Sequence, residues 1–172
     1  MKIILTGATS PIGNVVGKYL KDNAYDITCI GRDLTTSESQ DNLICLTKDS
    51  DVFINLAHIG YVQGLLLERS KARLNISFTS IVTQYPWRVT KNFNSEKYVS
   101  QKLFLEHVHN SMSNSALISI SNYGIGPIPS VSDKQITNAI ENIITGKVMI
   151  PAIIDVNNGL GGLSLASFEN QE

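Results

Sequence analysis

The segment IILTGATSPIG (Ile3–Gly13) passes from a run of apolar residues into a turn of small ones, and a helical pattern follows at once. Lys2 to Thr6 is the short continuous apolar run of a strand buried on both faces. Asn14 to Asp22 then sets Val15, Val16, Tyr19 and Leu20 at helical spacing. Such a junction leaves unpaired N–H groups and the positive end of the helix dipole at the turn, a place suited to phosphate. Gly7 allows the tight turn, and Gly13 lets the helix approach the sheet or a pyrophosphate with no Cβ between them. Pro11 fits the first helical turn at no hydrogen-bond cost, and Ser10 is small and carries a hydroxyl that can donate to phosphate. The stretch reads as the phosphate loop of a dinucleotide site, with Gly7, Thr9, Ser10, Pro11, Ile12 and Gly13 as cofactor-binding residues. An ordinary β-α turn is the alternative, because one of the usual three glycines is missing.

Outward from this junction, strands and helices alternate. Tyr25–Ile30, Asn42–Leu46 and Asp51–Ala57 read as the second, third and fourth strands, and Leu74–Val82 and Ala116–Ser121 as the next two. Helices are expected over Tyr61–Ala72, Glu96–His109 and Ser132–Thr145, the last with Ser132 or Asp133 as its N-cap. Lys147–Ile150 reads as a final strand. This alternation predicts an α/β fold, a doubly wound parallel sheet of Rossmann type with helices on both faces. At 172 residues one domain is expected: a dinucleotide-binding domain over 1–150, and a rudimentary C-terminal tail over 151–172.

A net charge of -1 with 17% charged residues offers no general attraction for nucleic acid or an anionic membrane. No apolar run approaches the roughly 18 residues of a membrane span, and Met1-Lys2 opens no signal-peptide pattern, so a cytoplasmic address is expected. Cys29 and Cys45 lie in apolar runs and read as buried, reduced thiols. His107 and His109, two apart on a helix, point in different directions, and His58 reads as a hydrogen-bonded residue at a strand end, so no metal is assigned.

Tyr98 and Lys102 are four apart on a predicted helix and so lie one above the other on the same face. A cation beside a phenol stabilises the phenolate and lowers its pKa from about 10, which lets the Tyr exchange a proton with a substrate oxygen. A surface pair is the plain alternative.

TGATSPIG (Thr6–Gly13) resembles the TGxxGxxG fingerprint of the extended and atypical short-chain dehydrogenase/reductase families, with Ser10 where the middle glycine often lies. Asn55-Leu56-Ala57 looks like the fourth-strand NAG-type motif, and the Tyr98–Lys102 helix falls where the family places its active-site helix. The resemblance implies that Tyr98 is the general acid/base, Lys102 its electrostatic partner and a ligand of the nicotinamide ribose, and Ser80 the donor to the reacting oxygen. Thr79, Ser77 and Thr83 are alternatives to Ser80. Leu56, Ala57 and Asn122 are expected against the cofactor, and Tyr85 and Trp87 in a loop that can contact substrate or cover the core edge. Gly31 stands where relatives carry the carboxylate that selects NAD, and Arg32 follows, which points to the 2'-phosphate of NADP; NAD is the alternative if Asp33 takes the acidic role.

The implied activity is an NADP(H)-dependent oxidoreductase or an epimerase/dehydratase acting on a carbonyl or secondary alcohol, with a nucleotide-linked sugar as the family's suggestion. Three departures bear on it. Tyr61 replaces the Asn that opens the family's fourth helix, Ser119 stands where relatives often carry Arg, and Leu34–Ser50 looks too short for a full third crossover helix. Extended relatives also continue into a C-terminal substrate lobe, most of which this chain lacks on that reading, so a dinucleotide-binding module without turnover is the competing expectation. Leu103, Phe104, Leu105 and Val108 give the Tyr98–Lys102 helix more apolar surface than one core-facing stripe needs, which suggests a homodimer through it.

Overall fold

The computed structural model describes residues 1–31, 34–80, 83, 95–121, 123 and 131–156. Six strands, β1 (Lys2–Thr6), β2 (Asp26–Ile30), β3 (Val52–Asn55), β4 (Leu74–Ser80), β5 (Ser115–Ile120) and β6 (Ala152–Val156), form one sheet. Its order is β2-β1-β3-β4-β5-β6 and every pairing is parallel. Five helices connect them: α1 (Pro11–Asp22), α2 (Ser37–Thr47), α3 (Val62–Arg69), α4 (Ser95–Asn110) and α5 (Asp133–Ile144).

Because successive strand residues face opposite ways, the central strands supply two cores. Ile3, Leu5, Ile54, Ile76 and Ile118 pack with Val16 and Leu20 of α1 and Ile136, Ile140 and Ile143 of α5. On the opposite face Ile4 and Phe53 pack with Leu43 and Ile44 of α2 and Leu66 of α3, and Leu117 packs with Leu67 of α3 and Leu105 and Val108 of α4. The fold is thus the doubly wound parallel α/β sheet that strand-helix alternation implies. The direction of winding changes between β1 and β3, where Thr6 lies beside Asn55, and crevices for ligands open at such a switch point.

Three local expectations are corrected. Asn42–Leu46 is part of helix α2, so Leu34–Ser50 does hold a crossover helix of 11 residues. A short apolar run cannot by itself separate strand from helix; Thr36 decides it by capping the Ser39 amide, and burial of Leu43, Ile44 and Thr47 follows helical spacing. Cys29 and Cys45 are free but exposed, one on the edge strand β2, the other on the outer side of α2. Finally, residues 147–150 form no strand; the last strand begins after Pro151, which has no N–H for a ladder. Its pairing with β5 carries the sheet past residue 150 to Val156, into the segment that the sequence pattern gave to the tail.

Candidate active site

The β1–α1 turn is built as its residues dictate. Ser10 caps the helix, its Oγ accepting from the Gly13 amide at 3.0 Å, while Pro11 occupies the first turn and Asn14 N–H reaches Ser10 O. Among the described residues the Ile12 amide, in the first turn of α1, has no hydrogen-bond acceptor. Gly7 has a φ of +70°, and a Cβ there would lie 2.8 Å from Ala57 N; one on Gly13 would lie 2.0 Å from Gly7 O. Both glycines are therefore required by backbone approach. Beneath them Thr6 Oγ1 accepts from the Leu56 and Ala57 amides at 3.1 and 3.2 Å and donates to Asn55 Oδ1 at 3.4 Å, tying the turn to the end of β3.

A cleft of about 530 Å³ opens over these strand ends. Ser10, Pro11 and Ile12 form one wall, Leu56, Ala57 and His58 its floor, Phe78, Thr79 and Ser80 the end of β4, and Tyr98 and Lys102 come down from α4. Ile120, Ser121 and Tyr123 close the far side. The cleft therefore brings Ser10, Pro11, Ile12, Leu56, Ala57, Ser80, Tyr98 and Lys102 together. Gly7 lies behind the turn and Thr9 is exposed. Gly13 faces a separate groove along α1 that also holds Lys18 and Cys29. Arg32, Asp33, Tyr85, Trp87 and Asn122 lie outside the described residues.

Among the serine and threonine alternatives the geometry discriminates. Thr79 and Thr83 each donate to Glu106 Oε1 at 2.7 Å, so their hydroxyl protons are engaged. Ser77 is buried away from the cleft. Ser80 hydrogen-bonds Tyr98. Ser121 adds a buried hydroxyl with no partner among the described residues.

Lys102 is 5% exposed, and its ammonium donates to Gln63 Oε1 and to Phe78 O, both at 2.8 Å. Burial lowers its pKa to about 8, against a smaller opposing pull from Glu106. Nζ lies 5.7 Å from the centre of the Tyr98 ring. Tyr98 departs from the sequence argument. Burial raises its pKa, Ser80 pulls it down less, and the phenol is protonated at neutral pH. The expected depression is absent because burial of the phenol outweighs the hydrogen bond from Ser80. His58 meets Tyr98 edge to face at 5.0 Å between ring centres, and partial burial and the Lys102 charge keep its imidazole below the usual value. His58, which the sequence offered as a hydrogen-bonded residue at a strand end or one near the cofactor, hydrogen-bonds Gln63 and lines the cleft, whereas Gln63 is a participant that residue spacing did not single out. The signal for Gln63 was a carboxamide on the buried side of α3, beside Leu66 and Leu67.

A dinucleotide fits this arrangement: the cleft runs from Ser10, Pro11 and Ile12 at the head of α1 across the ends of β3 and β4 to Tyr98 and Lys102. Among the described residues no cluster of His, Cys, Asp and Glu could hold a metal ion, and no helix is long and apolar enough to cross a membrane.

No family model matches the chain, and no curated protein matches it by sequence. Solved structures do match. The chain is similar to the oxidoreductase ylbE from Lactococcus lactis, with a TM-score of 0.71 at 14% identity over 100% of this chain and 99% of that one. It is also similar to the 3-alpha-hydroxysteroid dehydrogenase from Pseudomonas sp. complexed with NADH, TM-score 0.73 at 11% identity over 95% and 98% of the two chains. A dTDP-4-dehydrorhamnose reductase from Clostridium acetobutylicum gives 0.63 at 15% identity over 90% of this chain and 73% of that one. The chain shares the doubly wound parallel α/β fold of these solved structures.

Proposed function

We propose that this protein is an NADP(H)-dependent oxidoreductase that reduces a carbonyl substrate, or oxidises the corresponding secondary alcohol, in the cleft between the β1–α1 turn and α4. The observation that carries the reading is the meeting of Tyr98, Lys102, Ser80 and that turn around one opening. The turn and the Ile12 amide would hold the pyrophosphate of a bound dinucleotide, and Leu56 and Ala57 line the path toward α4. A bound nicotinamide supplies the hydride. Ser80 and Tyr98 hold the substrate oxygen, and Tyr98 delivers its proton to that oxygen as negative charge develops there. Lys102 then stabilises the phenolate through its charge. The raised pKa of Tyr98 keeps it in the acid form, which suits the reductive direction. NADP rather than NAD is favoured by Arg32 following Gly31. The substrate is a ketone or aldehyde, and a nucleotide-linked 4-keto sugar belongs in the panel because one structural neighbour is a dTDP-4-dehydrorhamnose reductase.

The same reading includes a homodimer through α3 and α4. Tyr61 (47% exposed), Leu65 (39%) and Leu103 (48%) leave apolar surface on these adjacent helices, beside Phe104 packed edge-on to Tyr61.

The test is a fluorescence titration with NADPH and NADH, followed by turnover on a carbonyl panel. NADPH binds more tightly, and Tyr98→Phe loses about 100- to 10,000-fold in kcat while keeping its NADPH affinity. Binding without turnover, indifferent to Tyr98→Phe, rejects the enzyme in favour of a dinucleotide-binding module.

A further inference from the structure

Gln63 occupies the first turn of α3 and is only 1% exposed. A buried carboxamide is costly unless its donor and acceptor are both used. Both are. Oε1 accepts from Lys102 Nζ at 2.8 Å, and Nε2 donates to Asn55 O at 3.0 Å. Asn55 Nδ2 donates back to Gln63 O at 2.7 Å, and Asn55 Oδ1 accepts from Thr6, whose own oxygen holds the Leu56 and Ala57 amides. A continuous hydrogen-bonded chain thus runs from the turn beneath the phosphate cradle to the ammonium beside Tyr98.

We propose that Gln63 is a positioning residue of the cleft, fixing the Lys102 ammonium next to Tyr98 and registering it against the β1–α1 turn through Asn55 and Thr6. This rests on the reading of Tyr98 and Lys102 as the acid/base pair. Lys102 is a four-carbon stem with many rotamers, and Gln63 together with Phe78 O selects one of them. Among the described residues, the other charged or titratable groups around this ammonium are His58 from the segment after β3, which hydrogen-bonds Gln63, and Tyr98 and Glu106 from α4. Glu106 is itself held by Thr79 and Thr83, so Gln63 is the side-chain acceptor that Lys102 uses.

The experiment is an NMR titration of the full chain, following the Lys102 side chain and the Gln63 side-chain amide. In the wild type, the Gln63 amide signals shift with the Lys102 midpoint, near pH 8. In Gln63→Glu the new carboxylate raises that midpoint by about one pH unit or more, and in Gln63→Met it falls while NADPH affinity weakens about tenfold. An unmoved Lys102 midpoint in folded Gln63→Glu, or wild-type Gln63 amide signals indifferent to the Lys102 titration, overturns the proposal. The wild-type measurement needs no variant to fold. Wild-type protein without NADPH affinity but with the Lys102–Gln63 coupling present overturns the functional reading and supports this one.

Discussion

Ser80, Tyr98 and Lys102 share a cleft but differ in what their surroundings do to them. Ser80 is the residue of its strand end whose hydroxyl meets Tyr98, whereas Thr79, its neighbour, turns to the opposite sheet face and serves Glu106. Ser80→Ala is therefore expected to lower kcat by about 100-fold and Thr79→Val to leave the chemical step nearly unchanged, as measured by single-turnover reduction. The depressed pKa of Lys102 also has a sign for stability. Folded Lys102 loses its proton near pH 8, while in the unfolded chain it keeps it to about 10.4. Between those values the unfolded state binds more protons, so the cost of burying this charge, present in full below pH 8, is relieved as pH rises. Thermal melts at pH 7.5 and 9.5 are expected to show Lys102→Met losing this upward contribution; an identical pH trend in wild type and variant would count against it. The Tyr98–Lys102 spacing was legible in the sequence. The protonated state of Tyr98 was not, because it depends on how deeply the phenol is buried.

Helix starts were the most readable elements, and they carry different weights. Ser132 makes a capping box with Gln135 at the head of α5, so Ser132→Ala is expected to cost about 0.5–2 kcal/mol, read as a lowered Tm. Gly13 lies in the first turn of α1, where Ala would gain roughly 1 kcal/mol of helix propensity. Its Cβ would sit 2.0 Å from Gly7 O and 2.8 Å from Ala8 Cα, backbone atoms that cannot rotate away. Overpacking of about 1–3 kcal/mol outweighs the propensity gain, so Gly13→Ala lowers Tm and abolishes NADPH binding, read by calorimetry and titration of the same sample. The element that the pattern misassigned, α2, failed for a definable reason. NLICL (Asn42–Leu46) is apolar in both readings, and only the Thr36 cap and the packing of Leu43 and Ile44 beneath the β1–β3 face choose the helix.

At the scale of the molecule, the two faces of the sheet are unequally finished. Strand β6 is an edge strand with Ile153 and Asp155 exposed, while Tyr61, Leu65 and Leu103 remain open on α3 and α4. The proposed dimer uses the helix pair. Sedimentation velocity is expected to show a dimer for the wild type and a monomer for Leu103→Glu, whose charge would be desolvated in that interface. A wild-type monomer at high concentration would remove the dimer and leave the chemistry of the cleft untouched.

The sequence by itself determined the alternation of strand and helix, the β1–α1 turn with its two obligatory glycines, and the placing of Tyr98 above Lys102 on one helix face. These follow from local rules of period, capping and backbone sterics. Tertiary structure alone decided that α2 is a helix, that β6 begins after Pro151, and that Cys29 and Cys45 face outward. It also decided that Gln63, from a helix 39 positions earlier in the chain, holds Lys102. Such choices depend on which distant surfaces and hydrogen-bond partners meet, and no pattern confined to neighbouring residues encodes those meetings.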